Sequence, residues 1–353
     1  MMIWAILAAL LVIGLVLRLP GRVMILMVAL LWGAVFSAHL ILPQDHPLAQ
    51  AMGGDWRSWG ALGLGGALVL TYRAGLNLLR RHAAPSVVQA SGAFSDSELE
   101  RYARHIVLRE IGGTGQKKLK AAKVLVVGAG GLGSPALLYL AAAGVGTIGV
   151  IDDDDVSNSN LQRQIIHTDA RIGQPKVASA EASMLALNPF ILVQTYRERL
   201  DRTRAQALFG EYDLILDGSD NFDTRYLVNE VAAAAKKPLV SAAITQWEGQ
   251  IGVFDPARGG PCYACVFPQR PEASLAPSCA EAGVIAPLPG VMGAMMALEA
   301  VKCLTGAGAA LTGSLLIYDG LWGESRKLKA ARRADCKVCG ADAALLDSSI
   351  AQA

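Results

Sequence analysis

The sequence predicts a doubly wound α/β domain with a mainly parallel sheet and antiparallel strands at one edge, placed behind two or three membrane-crossing helices. Three observations lead there. A valine-rich run, a glycine-rich turn and an Ala/Leu-rich helix follow one another between Lys123 and Ala143. Short apolar runs alternate with helical segments through the rest of the chain, the β-α-β-α rhythm of a parallel sheet. The chain is 53% apolar, high for a soluble protein, and the excess is concentrated in the first 80 residues.

The first of these is the centre of the chain. Lys123–Val127 reads as a buried parallel strand, because a strand covered on both faces is apolar at every position. Gly128, Gly130 and Gly133 then make G-x-G-x-x-G, with an extra glycine at Gly131. Ser134–Ala143 reads as helix and Thr147–Ile151 as a second strand ending in Asp152. Glycines let the turn be tight and let a phosphate approach the backbone, and a helix N-terminus favours its charge. Asp152 stands about 20 residues on, where an acidic side chain would hold a ribose hydroxyl. The pattern is that of a nucleotide site on a Rossmann-like sheet, and by itself it leaves the nucleotide open.

Before this core lie three apolar runs. Ile3–Leu17 and Val23–Leu42 are separated by Arg18–Arg22, and the second is long enough to cross a hydrocarbon core of about 30 Å as a helix. Trp56–Tyr72 is a glycine-rich third candidate flanked by Arg57 and Arg73, with Trp56, Trp59 and Tyr72 placed for the interfaces. Residues 1–82 are therefore expected to be a membrane region of two or three helices. A cleaved signal peptide would need a positive start, and Met1–Trp4 has no charge. Arg18 and Arg22, then Arg73, Arg80 and Arg81, place the first loop and the segment after the third run on the cytoplasmic side. The expectation is a multi-pass protein of the inner membrane with its large domain in the cytoplasm.

Residues 83–93 read as a small-residue linker, residues 94–345 as the globular domain and residues 346–353 as a tail. Ser95 and Glu98 form a capping box opening a short helix. A GGTGQ loop and a basic helix at Gln116–Lys123 are expected next. Later elements are a helix at Lys176–Leu187 and strands at Leu192–Tyr196, Asp213–Leu216, Pro238–Ala243 and Gly249–Asp255. A helix at Thr224–Ala235, another at Gly290–Leu304 and a strand at Ser314–Tyr318 complete the reading. The net charge of +2 gives no basis for a nucleic-acid partner held by bulk electrostatics. The five histidines are scattered, and His105 and His167, near the motifs, read as structural.

The stretch from Val124 to Gln164, VLVVGAGGLGSPALLYLAAAGVGTIGVIDDDDVSNSNLQRQ, resembles the ubiquitin-activating-type adenylyltransferase family that includes HesA, MoeB and ThiF. The resemblance extends over roughly Phe94–Gly340 and is strongest to MoeB-like members. It implies ATP-dependent adenylation of the C-terminal glycine of a ubiquitin-fold sulfur carrier (MoaD- or ThiS-like), with pyrophosphate released, for molybdenum cofactor or thiamine biosynthesis. Carried over residue by residue, Asp152 would hold the ribose, with Asp154 beside it in a less defined role. Asn160, Arg163 and Lys176 would contact the triphosphate. Asp220 would position magnesium. Arg104 would reach into the partner subunit of a homodimer. The chemistry needs no protein nucleophile, since the carrier carboxylate is itself ionised near neutral pH. No rhodanese-type domain follows, so a separate sulfur donor protein is expected.

Four of the six cysteines form two C-x-x-C pairs, Cys262/Cys265 and Cys336/Cys339. Each pair can clamp one side of a tetrahedral ion, giving a closed zinc site of four cysteines, which is also the family's pattern; a redox dithiol at either pair is the alternative. Cys279 resembles a loop cysteine that in some members accepts the activated carrier, though no histidine is placed to lower its pKa. Cys303 reads as packing. An NAD-dependent oxidoreductase would explain the glycine turn and Asp152, but leaves Arg163, Asp220 and both cysteine pairs without a role.

Overall fold

The computed structural model describes residues 21–43, 46–82, 93–270 and 282–340, together with Leu10, Val12, Gly14 and Leu17. The chain divides into two compact units, Met1–Gln89 and Ala90–Ala353.

In the first unit, helix α1 (Gly21–Ile41) is followed by a short α2 (Pro47–Met52) and a long α3 (Trp56–His82). The indole of Trp32 stacks on Phe36 at 5.2 Å and donates to the Trp59 carbonyl at 2.9 Å, which joins α1 to α3. The stretch Val23–Ile41 has a mean hydropathy of 2.2, with 6% of that window buried. Among the described residues only one other helix is long and apolar enough to cross a membrane, Pro287–Thr305, and its window is half buried inside the second unit, as a core helix is. The Trp56–Tyr72 run does form part of a helix, but glycines together with Arg57 and Arg73 leave it less apolar than the Val23–Ile41 stretch. Most of the Ile3–Leu17 run lies outside the described residues.

The second unit opens with α4 (Asp96–Ile106), where Ser95 and Glu98 cap each other's backbone amides as their spacing requires. The expected GGTGQ loop is instead the first turn of α5 (Gly112–Ala121). Tertiary contacts override the weak helix propensity of glycine here. Leu119 is fully buried, and the Gln116 carboxamide bridges the Ala143 carbonyl and the His105 ring.

The sheet follows: β1 (Lys123–Val127), α6 (Gly133–Ala143), β2 (Thr147–Ile151), α7 (Lys176–Leu187), β3 (Leu192–Tyr196), α8 (Arg202–Phe209), β4 (Leu214–Asp217), α9 (Phe222–Ala234), β5 (Leu239–Ile244), β6 (Glu248–Phe254), a short α10 (Tyr263–Val266), α11 (Pro287–Thr305), β7 (Ser314–Asp319) and β8 (Glu324–Lys329). Its eight strands run in the order β3-β2-β1-β4-β5-β6-β7-β8. β1 to β5 are parallel and β6 to β8 antiparallel, as expected.

Alternation along β1 sends Val124 and Val126 to one core and Leu125 and Val127 to the other. Leu137, Met184, Met292 and Met296 fill the first core, and Phe209, Tyr212, Val228 and Val231 the second. A strand covered on both faces has no polar side to show, which is why Lys123–Val127 reads as an unbroken apolar run.

Besides the short helices α2 and α10, two elements, α8 and β8, were absent from the expectation. α8 is polar overall, although Asp201 caps it through the Arg204 amide; that aspartate was the available signal. All six residues of β8 are exposed, so this edge strand shows no apolar pattern and is held by pairing to β7. Helix α11 starts at Pro287 rather than Gly290, because amides of the first turn have no intrahelical partner for a proline to break.

Candidate functional site

In an open α/β sheet, ligands bind beyond the carboxyl ends of the strands, where the strand order reverses. Here that point lies between β1 and β4. A cleft of about 740 Å³ opens there, lined by the glycine turn, the acidic stretch after β2, the loop after β4 and the β5–β6 connection.

The glycines hold the turn for different reasons. Gly128 has φ +93°, a conformation that L side chains rarely adopt. At Gly133 a Cβ would lie 1.9 Å from the Gly128 carbonyl oxygen, so only glycine lets the turn close on itself. At Gly130 the nearest atom to such a Cβ is 3.7 Å away, so packing leaves room and the cleft is what a side chain would fill. Gly131 lines the cleft against Pro289. The turn is also pinned from below. His167, buried, bonds the Ala129 carbonyl through Nε2 at 2.9 Å and Ser179 through Nδ1 at 2.9 Å, and burial lowers its pKa.

Asp152 accepts from the Ala129 amide at 2.7 Å and from the Asp154 amide at 2.9 Å. Burial pushes its carboxyl above the ordinary carboxylate range, against the pull of nearby Lys176 and of these two amides. The ammonium of Lys176, nearly fully buried, pairs with Asp154 at 2.7 Å. Arg163 lines the cleft and donates to the Asn160 carboxamide and to the Ser159 carbonyl, each at 3.2 Å. Asp220 is exposed at the cleft wall, with no closer side-chain partner among the described residues than Asn221 at 3.5 Å.

The fold thus brings Gly128, Gly130, Gly131, Asp152, Asp154, Arg163, Lys176 and Asp220 to one cleft. Gly133 underlies it, and Asn160 stands behind Arg163. Arg104 is exposed on the last turn of α4 and is not part of this chain's cleft. Cys279 lies outside the described residues.

The sequence reading missed Asp217 and Arg225. Asp217, fully buried at the end of β4, accepts from Ser219 and from Ser241, the latter at 2.8 Å, and lies 3.6 Å from the Arg225 guanidinium. Arg225 in turn donates to the Ser219 carbonyl at 2.8 Å. Together they fix the loop that presents Asp220. The signal was present as the aspartate ending an apolar strand, a place where an unpaired charge would not be tolerated.

The four cysteines of the two C-x-x-C pairs are all buried and meet in one cluster. Their sulfurs lie 3.8 Å (Cys262–Cys265), 3.6 Å (Cys262–Cys336) and 3.4 Å (Cys265–Cys339) apart. A disulfide would need about 2.05 Å. Four thiolates at about 2.3 Å from a tetrahedral ion stand about 3.8 Å from one another, and the cluster fits that set. The Arg333 amide points at the Cys265 sulfur at 3.4 Å, a further group that would stabilise a thiolate. Cys303 packs at the edge of the first core, and burial pushes its thiol up to about 11.

The ThiF family model matches residues 102–338. A sulfur carrier protein adenylyltransferase of Thermus thermophilus is 49% identical over 251 residues, covering 70% of this chain and 93% of that protein. A probable adenylyltransferase/sulfurtransferase, MoeZ of Mycobacterium tuberculosis, is 50% identical over 240 residues, covering 67% of this chain and 61% of the relative. Among solved structures, E. coli MccB with ATP overlays with a TM-score of 0.61 at 25% identity, covering 71% of this chain and 76% of MccB.

Proposed function

The chain belongs to the ThiF family, and we propose that it adenylates the C-terminal glycine of a ubiquitin-fold sulfur-carrier protein, using ATP and releasing pyrophosphate. The observation that carries this reading is the cleft itself. A glycine turn, two cations (Arg163 and Lys176) and an exposed carboxylate (Asp220) face one space at the switch point of the sheet.

In the proposed reaction a carboxylate oxygen of the carrier attacks the α-phosphorus. The bond from that phosphorus to the bridging oxygen breaks, and pyrophosphate leaves with the electron pair. No proton has to move, so the protein needs neither general base nor nucleophile. Its work is positioning and charge compensation. Arg163 and Lys176 offset the charge that builds up on the phosphoryl oxygens, while Asp152 fixes the ribose. Asp220 would hold magnesium, which would neutralise part of the charge of the phosphates. The four-cysteine cluster would hold zinc in a closed structural site, with no open position for chemistry. Arg104, away from its own cleft, would act across a homodimer in the partner's.

The molybdopterin-type carrier is the preferred acceptor, and a separate protein would donate the sulfur. The decisive assay is pyrophosphate–ATP exchange by the full chain in detergent, offered the molybdopterin and the thiamine carriers in turn. Exchange with the molybdopterin carrier is expected. Exchange with the thiamine carrier alone would transfer the enzyme to that pathway, and nicotinamide reduction without any exchange would overturn the reading.

The same proposal puts the protein in the inner membrane, multi-pass, with the second unit in the cytoplasm. Its support is α1, whose apolar side chains are mostly exposed, in a setting where water would penalise them. The protein is expected to stay with the membrane fraction through an alkaline wash and to leave it only with detergent. Recovery from the wash would refute the location.

A further inference from the structure

Gln164 follows Arg163 in the same turn and is 5% exposed, yet its carboxamide is not accounted for by packing. Its backbone is fixed, the amide donating to the Asn160 carbonyl at 3.0 Å and the carbonyl accepting from the His167 amide at 3.1 Å. The side-chain Oε1 is buried and has no hydrogen-bond partner among the described residues. Nε2 is the atom nearest to the free side of Gly130, 3.7 Å from where a Cβ would stand. The residue lines the cleft.

A buried carboxamide with an unpaired oxygen is a poor core residue, since an apolar side chain of the same size would avoid the cost of desolvating it. What distinguishes glutamine here is a neutral N–H donor beside the glycine turn. Arg163, Lys176 and the glycine turn line the same cleft, as do the carboxylates of Asp152, Asp153, Asp154 and Asp220. The N-terminus of helix α6, which begins at Gly133 of the same turn, favours an anionic acceptor beside Gly130.

We infer that Gln164 is a substrate-contacting residue, its Nε2–H donating to a phosphate oxygen of the nucleotide where that oxygen passes Gly130. This deepens the nucleotide reading given above and rests on it. A neutral donor at this point binds phosphate without adding a charge that must be desolvated in the empty cleft. It also explains a feature of the turn, because room kept open at Gly130 brings the phosphate within reach of the carboxamide.

The test uses the full chain in detergent and two variants, Gln164→Leu and Gln164→Glu, with ATP affinity measured by titration, adenosine affinity by competition, and melting of the free protein. Gln164→Leu is expected to melt at or above the wild-type temperature, since it removes the unpaired oxygen, and to bind ATP at least tenfold more weakly. Gln164→Glu sets a carboxylate against the phosphates and should bind ATP more weakly still. Adenosine, which has no phosphate, should bind all three proteins alike. Unchanged ATP affinity in both variants would overturn the inference, as would an equal loss for adenosine, which would place the contact on base or ribose. A lower melting temperature for Gln164→Leu would mean a structural role and would also overturn it. Failure of the wild-type protein to bind ATP would instead remove the nucleotide reading beneath it.

Discussion

Arg163→Ala and Asp220→Ala are each expected to lower carrier-dependent pyrophosphate exchange by about 10³-fold, the scale seen when a preorganised charge is taken from a phosphoryl-transfer site. The fold should survive both changes. Among the described residues Arg163 is held by Asn160 and the Ser159 carbonyl, both within its own turn. Asp220 is exposed with a single long contact to Asn221. Neither side chain ties one element of the sheet to another. Melting curves should therefore overlay the wild type within a degree or two while exchange collapses. Asp217→Asn makes the contrast: it breaks a buried ion pair with Arg225 and should lower stability first. If either Arg163→Ala or Asp220→Ala kept more than a tenth of the exchange rate, its assigned role at the triphosphate would be wrong.

The second large effect is on metal. Cys336→Ser should reduce bound zinc from about one ion per chain to a small fraction of that, because in the proposed closed site the four sulfurs would share one ion. Stability should fall with it. The cluster joins α10 to the C-terminal segment, and α10 is in turn locked to α9 through the Tyr263 amide and the Asn229 carboxamide at 2.7 Å. Tyr263 also packs on Tyr226, Phe254 and Phe267. Loss of the ion leaves three buried thiols, of which burial already pushes Cys262 up and Cys339 up to about 11. Elemental analysis and melting, read on the same sample, check both expectations. A full complement of zinc in the serine variant would move the metal elsewhere. The cleft stands on other residues, so exchange per folded molecule should change far less than melting.

Much of this molecule is legible in the chain. The runs Lys123–Val127, Thr147–Ile151 and Lys176–Leu187 form the elements expected of them, because central parallel strands and their helices are largely covered by their neighbours and carry apolar side chains to match; Leu192–Tyr196 is a strand as expected although it lies half-exposed at the sheet edge. What the pattern hides is held by pairing or by distant contacts. β8 is wholly exposed and exists because β7 offers it a ladder. The GGTGQ segment is helical because Gln116 and Leu119 find buried partners far along the chain.

The glycine turn, the acid that follows β2, the cations of the cleft and the two cysteine pairs can all be read along the chain, since each is a local requirement of turn geometry, charge or ligand type. Which of them share a space is a matter of the folded arrangement alone. The fold sets Arg163, Lys176 and Asp220 around one cleft and leaves Arg104 outside it. It closes the four cysteines into one cluster and leaves the unsatisfied carboxamide of Gln164 beside Gly130. Proximity between residues far apart in the chain is fixed by the order in which strands pair, and no single segment carries that order.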